Sequence, residues 1–367
     1  MPDVAELQVD GVRYGGWKSI RISRGIEQIA GAFELGLTER WAGQDLPRPI
    51  RPGDECEVMV DGETVITGYV DDARPSYDKE SHAVTVSGRD RTGDLVDCSA
   101  IHKSGQWANA RLDKIARDLC APFGIKVHAE VEVGRAFGSF SLNEGEAVFE
   151  CLDRAARLRA VLLVSDGRGG LVIARAGATR APAQLVEGEN ILAASGDFSW
   201  RERYSRITVK GQGRGDDENN GATVAHVAAR VDDASITRYR PLIVLAEDQD
   251  RAGTLKDRAE WEMGVRMGRG SRASVTVQGW HADASTLWQP NRLVHLRSPY
   301  LGADIDLLIV SATYILDESG TRTEMELVRP EAFDLIGGVK SSRLDAAIKR
   351  KKASSPRNKT DGFAVIG

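Results

Sequence analysis

The sequence predicts an α+β protein that is mainly β, with two similar small β-barrel domains flanking an α+β insert. Three observations predict it. Short runs of alternating apolar and polar residues, separated by turn residues, fill both ends of the chain. Apolar residues at helical spacing are concentrated in the middle, and the order of strands and turns in the first β region recurs in the last. At 367 residues the chain is too long for one compact core and long enough for roughly two to four domains.

The first domain is expected over 1–100. In AFELGLTER, Phe33, Leu35 and Leu37 alternate with polar or small residues, the period of a half-buried strand. CEVMV and ETVITGYV then flank Asp61-Gly62, and an Asp-Gly pair between β-rich runs favours a type I′ hairpin turn because both positions need positive φ. AVTVSG at 83–88 completes a set of short strands suited to a small barrel or sandwich.

The insert is expected over 101–195. Leu112, Ile115, Ala116, Leu119 and Cys120 repeat at helical spacing in 109–120, with Gly124 just beyond as a stop. Asn143 and Glu146 form a capping pair for a second helix reaching about Arg159. VLLVS and LVIAR make a hairpin across DGRGG at 161–175.

The second barrel is expected over 196–336: strands at 206–210 and 236–245, a helix at 251–267 with Leu255, Ala259 and Met263 on one face, then strands at 274–280, 293–297, 305–313 and 323–328. The Gly-rich polar segment 211–221 reads as a mobile loop. Residues 337–367 read as a basic flexible tail, with Lys349, Arg350, Lys351 and Lys352 among Ser, Ala and Asn, and an apolar FAVIG at its end.

The repeat has a definite order. Pro52-Gly53, a strand, a strand ending at Tyr69-Val70, Tyr77-Asp78, a strand and Asp94-Leu95-Val96 correspond to Pro290-Asn291, two strands, Tyr314 to Asp317, a strand and Asp334-Leu335-Ile336. Two similar barrels in one chain let a trimer present six, a ring with pseudo-sixfold symmetry.

Composition excludes little by itself. A net charge of −5 argues against a dedicated nucleic-acid or anionic-membrane binder. Cys56, Cys98, Cys120 and Cys151 form no CxxC and read as buried thiols. No basic, apolar leader opens the chain, and no apolar run approaches the ~20 residues of a membrane span. None of His82, His102, His128, His226, His281 and His295 has metal-ligand spacing, so no metal site is nominated, nor any cofactor or catalytic residue. The Gly-rich pieces at 167–170 and 211–221 lack the Gly-Lys-Ser/Thr of a P-loop and read as a hairpin turn and a loop. Asp216-Asp217-Glu218 reads as a solvated charge run, not a poised glycosidase pair. Trp17, Trp41, Trp200, Trp280 and Trp288 lie beside predicted strands and read as core, with one or two available as interface anchors.

Several segments together resemble the baseplate hub proteins of Mu-like contractile phages, which are related to the T-even phage hub and late-control D tail proteins. They are GRDRTGDLVDCSA (88–100), GEAVFECLDRAARL (145–158), RAEWEMGVRMGRG (258–270) with VTVQGW (275–280), and LWQPNRLVHLRSPYLGADIDLLIVSATY (287–314). The resemblance covers roughly 5–336, and the order of the segments is more specific than any one of them. It implies a non-enzymatic homotrimeric ring that joins the sixfold tail tube to the threefold membrane-piercing spike. Wedge proteins would surround the ring, DNA would pass its channel transiently, and nothing would be stably inserted in a membrane. It also implies assembly in the bacterial host cytoplasm and residence in the virion tail baseplate. The resemblance supplies no partner-binding residues and no role for the basic tail, whose cations suit either a peptide strap or DNA. The competing readings are a tail-associated peptidoglycan hydrolase and a DNA-binding tail factor.

Overall fold

The computed structural model describes residues 3–37, 50–77, 79, 82–159, 161–210, 228–245 and 255–333. Trp41, His226, the 211–221 segment with its acidic run, Asp78 and Asp334-Leu335-Ile336 of the repeat, and the 337–367 tail lie outside the described residues.

The chain opens with β1 (Ala5–Val9) and β2 (Val12–Tyr14), followed by β3 (Ser19–Gly25) and β4 (Ala32–Leu37). Alternation places Leu7, Val9, Phe33 and Leu35 in the core, with their polar neighbours outside. β5 (Glu55–Val60) and β6 (Glu63–Tyr77) form the hairpin expected at Asp61-Gly62, whose φ values of 49° and 82° are those of a type I′ turn. β7 (His82–Asp90) and a one-turn helix, α1 (Gly93–Asp97), complete this part.

The middle contains β8 (Gln106–Ala110), α2 (Leu112–Cys120), β9 (Val127–Ala129), β10 (Phe137–Ser141), α3 (Val148–Arg157), β11 (Leu162–Ser165) and β12 (Leu171–Ala174). All five residues of the predicted α2 stripe are buried, and Gly124 turns left-handed (φ 67°) just beyond. The second helix begins at Val148, not Asn143. The Asn143 N–H donates to Glu146 Oε1 at 2.7 Å, but this closes a turn ahead of the helix. Glu150 accepts from the Ala147 N–H at 3.0 Å and caps the true start. Leu112, Leu119, Leu152 and Ile173 share one core with Trp107 and Phe140.

Three strands then join the sheet of the chain's last part: β13 (Thr179–Arg180) and β14 (Leu185–Val186) pair with the strand Arg292–Ser298, and β15 (Ile191–Phe198) with the strand Ser271–Gln278. β16 (Arg206–Lys210), β17 (Ala228–Asp232) and β18 (Pro241–Leu245) form a separate three-stranded sheet under α4 (Leu255–Arg269), whose Ala259 and Met263 pack on Ile207 and Val209. The strand expected over 236–245 is confined to its last five residues. Ahead of it Ile236 closes a turn on Asp233, and Arg240 binds the Arg201 and Arg203 carbonyls.

Asp233 is itself buried and ion-paired to Arg203 at 2.8 Å. Burial pushes its carboxyl up, but the Ser235 hydroxyl and the Arg203 guanidinium outweigh that and hold it below the usual carboxylate range. A depressed folded-state pKa stabilises above the unfolded value and loses that stabilisation as pH falls through the folded one. Asp233→Asn should therefore cost about 2 kcal/mol at neutral pH, and the difference should vanish below the carboxylate range, as read from urea midpoints across pH.

The chain ends with β19 (Ser271–Gln278), β20 (Arg292–Ser298), β21 (Ala303–Asp317) and β22 (Gly320–Val328). Among the described residues fourteen strands make one sheet, ordered β15-β19-β22-β21-β3-β4-β7-β6-β5-β1-β2, with β20 on β21 and with β13 and β14 on β20. The two β regions are thus joined edge to edge through β3 and β21, and one hydrophobic core spans both.

Candidate functional site

The duplication expected from strand order is present in hydrogen-bond register. β3-β4-β7-β6-β5 and β15-β19-β22-β21-β20 have the same neighbours in the same sense. β6 and β21 are each 15 residues long, and each bulges at an equivalent place, between Val70 and Asp72 and between Ile309 and Ser311. The turn residues also match: Gly53 (φ 89°) donates its N–H to the Val70 carbonyl, and Asn291 (φ 60°) donates to Ile309, both at 2.8 Å. Glycine and asparagine are the residues that tolerate this left-handed backbone best. Anchored there, Leu35 pairs with Val86 as Val275 pairs with Met325, and all four are buried.

The α+β insert is tied to both units by polar side-chain contacts. Asp90, 2% exposed, accepts from the Thr92 N–H at 2.7 Å and from the Thr92 and Ser165 hydroxyls. Burial nonetheless holds this carboxyl above its usual range. On the other side the Asn291 side chain accepts from the Gly177 N–H at 2.9 Å and donates to the Arg175 carbonyl at 3.0 Å. A cleft of about 70 Å³ lies between these ties, lined by Arg24, Asp90, Ser165 and Asn291. It has room for a few waters and is far below the ~300 Å³ at which small-molecule sites begin.

Gly167–Gly170 is a hairpin turn, as expected. Asp166 Oδ1 accepts the N–H groups of Arg168 and Gly170 at 2.7 and 2.8 Å, so those donors are unavailable to a phosphate. A Cβ on Gly167 would lie 2.5 Å from the Val65 carbonyl, which shows how closely the turn docks on β6.

Trp17, Trp280 and Trp288 are core residues, whereas Trp200 is 45% exposed beside Arg203, correcting its placement in the core. Cys56, Cys120 and Cys151 are buried, and burial pushes each thiol up to about 12. Cys98 is exposed, contrary to expectation.

One grouping escaped sequence reasoning. His281 Nδ1 lies 3.3 Å from Asp3 and Nε2 3.6 Å from Asp61, and these three residues have the reach to hold a cation. Both ring nitrogens already face carboxylates, and Asp61 also accepts the Val4 N–H at 2.9 Å. The arrangement serves as a clamp between the chain start, the β5–β6 turn and the segment after β19. His295 is held in the same way between Asp304 and Asp306.

The comparisons place this doubled β unit and its helical insert among phage tail baseplate proteins. Four family descriptions match in succession: Mu phage baseplate assembly protein GpP-like, N-terminal, over 4–90; baseplate hub protein gp44-like, second domain, over 92–175; tail protein NMB1110-like, third domain, over 203–261; and Mu phage baseplate assembly protein GpP, fourth domain, over 252–336. The baseplate hub protein gp44 of Escherichia phage Mu is 37% identical over 342 residues, 91% of this chain and 89% of that one. The 43 kDa tail protein of prophage MuSo2 from Shewanella oneidensis is 40% identical with a TM-score of 0.81, covering 90% of this chain and 99% of the other. A tail protein from Neisseria meningitidis MC58 is 25% identical with a TM-score of 0.77, covering 91% and 99%. The chain belongs to the family of Mu-like baseplate hub proteins, structural components of the virion's tail. No helix among the described residues is long and apolar enough to cross a membrane.

Proposed function

We propose that this chain forms a homotrimeric ring that joins the sixfold tail tube to a threefold membrane-piercing spike and lines part of the channel through which DNA leaves. The register-matched duplication carries this reading, because three copies of a chain with two equivalent β units offer six similar surfaces around one axis. Each unit would act as a small barrel facing the tube. The insert, fixed to both units through Asp90 and Asn291, would brace them against each other. Tube, spike and wedge proteins are the expected partners, and the function is mechanical, resting on large permanent interfaces of ~2,000 Å² or more.

Light scattering on the full chain, or on assembled particles, should give three times 39.9 kDa. A chain that stays monomeric and never enters a particle would sink the proposal. A peptidoglycan zymogram should remain uncleared. Lysis abolished by one carboxylate substitution would instead establish the hydrolase.

A further inference from the structure

Resting on that trimeric reading, we propose that β15 adds in antiparallel fashion to the C-terminal half of β6 in a neighbouring copy, in the register that joins β3 to β21 within one chain. The internal duplication makes β3 equivalent to β15 and β6 equivalent to β21. In one chain β3 uses one edge for β4 and the other for β21. β15 uses one edge for β19, and no described residue pairs with the other. Likewise β21 carries β20 along Ala303–Leu308 and then β3 along Ser311–Leu316. β6 carries β5 along Glu63–Tyr69, but among the described residues the same edge has no strand partner along Asp72–Ser76. Each unit therefore has one strand edge that is filled in its counterpart, and the two open edges are complementary.

Seven of the eight residues of β15 are exposed, among them Leu192 and Phe198. This open edge carries no proline and no lysine, two of the devices by which free strands avoid pairing. Carrying the β3–β21 register across by the shared bulge and strand neighbours sets Ala73 of one copy opposite Phe198 of the next, Arg74 opposite Asp197, and Ser76 opposite Ser195. The charges that meet are opposite, and Pro75, which cannot donate, faces Gly196, over which the Phe198 ring lies. Such a contact is heterologous, using different surfaces on the two copies, and so builds a ring when its rotation closes, as a threefold one does, and not an isologous dimer.

The test uses the full chain with Cys98→Ser, which removes the exposed native thiol. Two double variants, Ser76→Cys with Ser195→Cys and Ala73→Cys with Phe198→Cys, sample both kinds of antiparallel cross-strand position, whose Cα separations of about 4.5 and 5.5 Å admit a disulfide. Oxidation should give covalent dimers and trimers on a non-reducing denaturing gel for at least one pair, and none for the four single substitutions. Asp197→Arg should shift the trimer midpoint to at least tenfold higher concentration, and adding Arg74→Asp should restore it. A chain that is trimeric by mass but cross-links through neither pair overturns the strand addition and leaves the trimer standing. A monomeric chain overturns both.

Discussion

Gly88→Ala should destabilise the protein by about 3 kcal/mol, seen as a lower urea midpoint, while Gly138→Ala should stay within ~0.5 kcal/mol. A Cβ on Gly88 would lie 2.1 Å from the Tyr69 carbonyl and 2.7 Å from the Phe33 ring, so the bulged β6–β7 ladder or the core side chain must yield. Neither is a flexible chain end. Gly138 sits in the exposed part of β10 with nothing within 4 Å of the added atom and no positive φ to defend. The position equivalent to Gly88 in the second unit is Leu327, buried in the core. The two units thus keep one register while filling it with side chains of different size. That is why strand order reveals the repeat and residue identity scarcely does.

Trp280→Ala should cost about 3–5 kcal/mol, the upper range for deleting a buried aromatic. The indole is fully buried against the Tyr314 ring, 6.2 Å between centroids, and its N–H donates to the Ile315 carbonyl at 3.1 Å. The Trp280 carbonyl accepts the Trp288 N–H at 3.0 Å, and the Tyr314 hydroxyl donates to the Trp288 carbonyl. Trp280→Phe separates packing from polarity: most of the apolar area remains, but the Ile315 carbonyl loses this donor, at a cost of about 1–3 kcal/mol. An unchanged denaturant slope with a shifted midpoint would assign both losses to the folded state.

Where one local rule decides the conformation, the sequence could be read directly. Asp61-Gly62 had to turn in the I′ sense, the alternation around Phe33 and Leu35 had to face a core, and the α2 stripe had to be buried. Reading failed where tertiary context decides. ILAASGDF, the sequence of β15, has no buried side and so no period to detect. Gln106–Ala110 and Phe137–Ser141 are strands of small and polar residues held by Trp107 and Phe140 against α2 and α3. Asn143 offered a valid cap four residues too soon, because Glu150 supplied a second acceptor closer to the apolar face. The clamp on His281 joins residues from three distant parts of the chain, a contact that no spacing rule reaches.

The seam between β3 and β21 has a directional consequence. Six residue pairs, from Ser311 with Gly25 to Leu316 with Ile20, hold the two halves together. A pull along the strands loads that ladder in shear, so its bonds must fail together. A pull across them opens the ladder from one end, bond by bond, against a far smaller force. Each chain is therefore strongest when its load runs along β21, and weakest when it runs at right angles to it in the plane of the sheet.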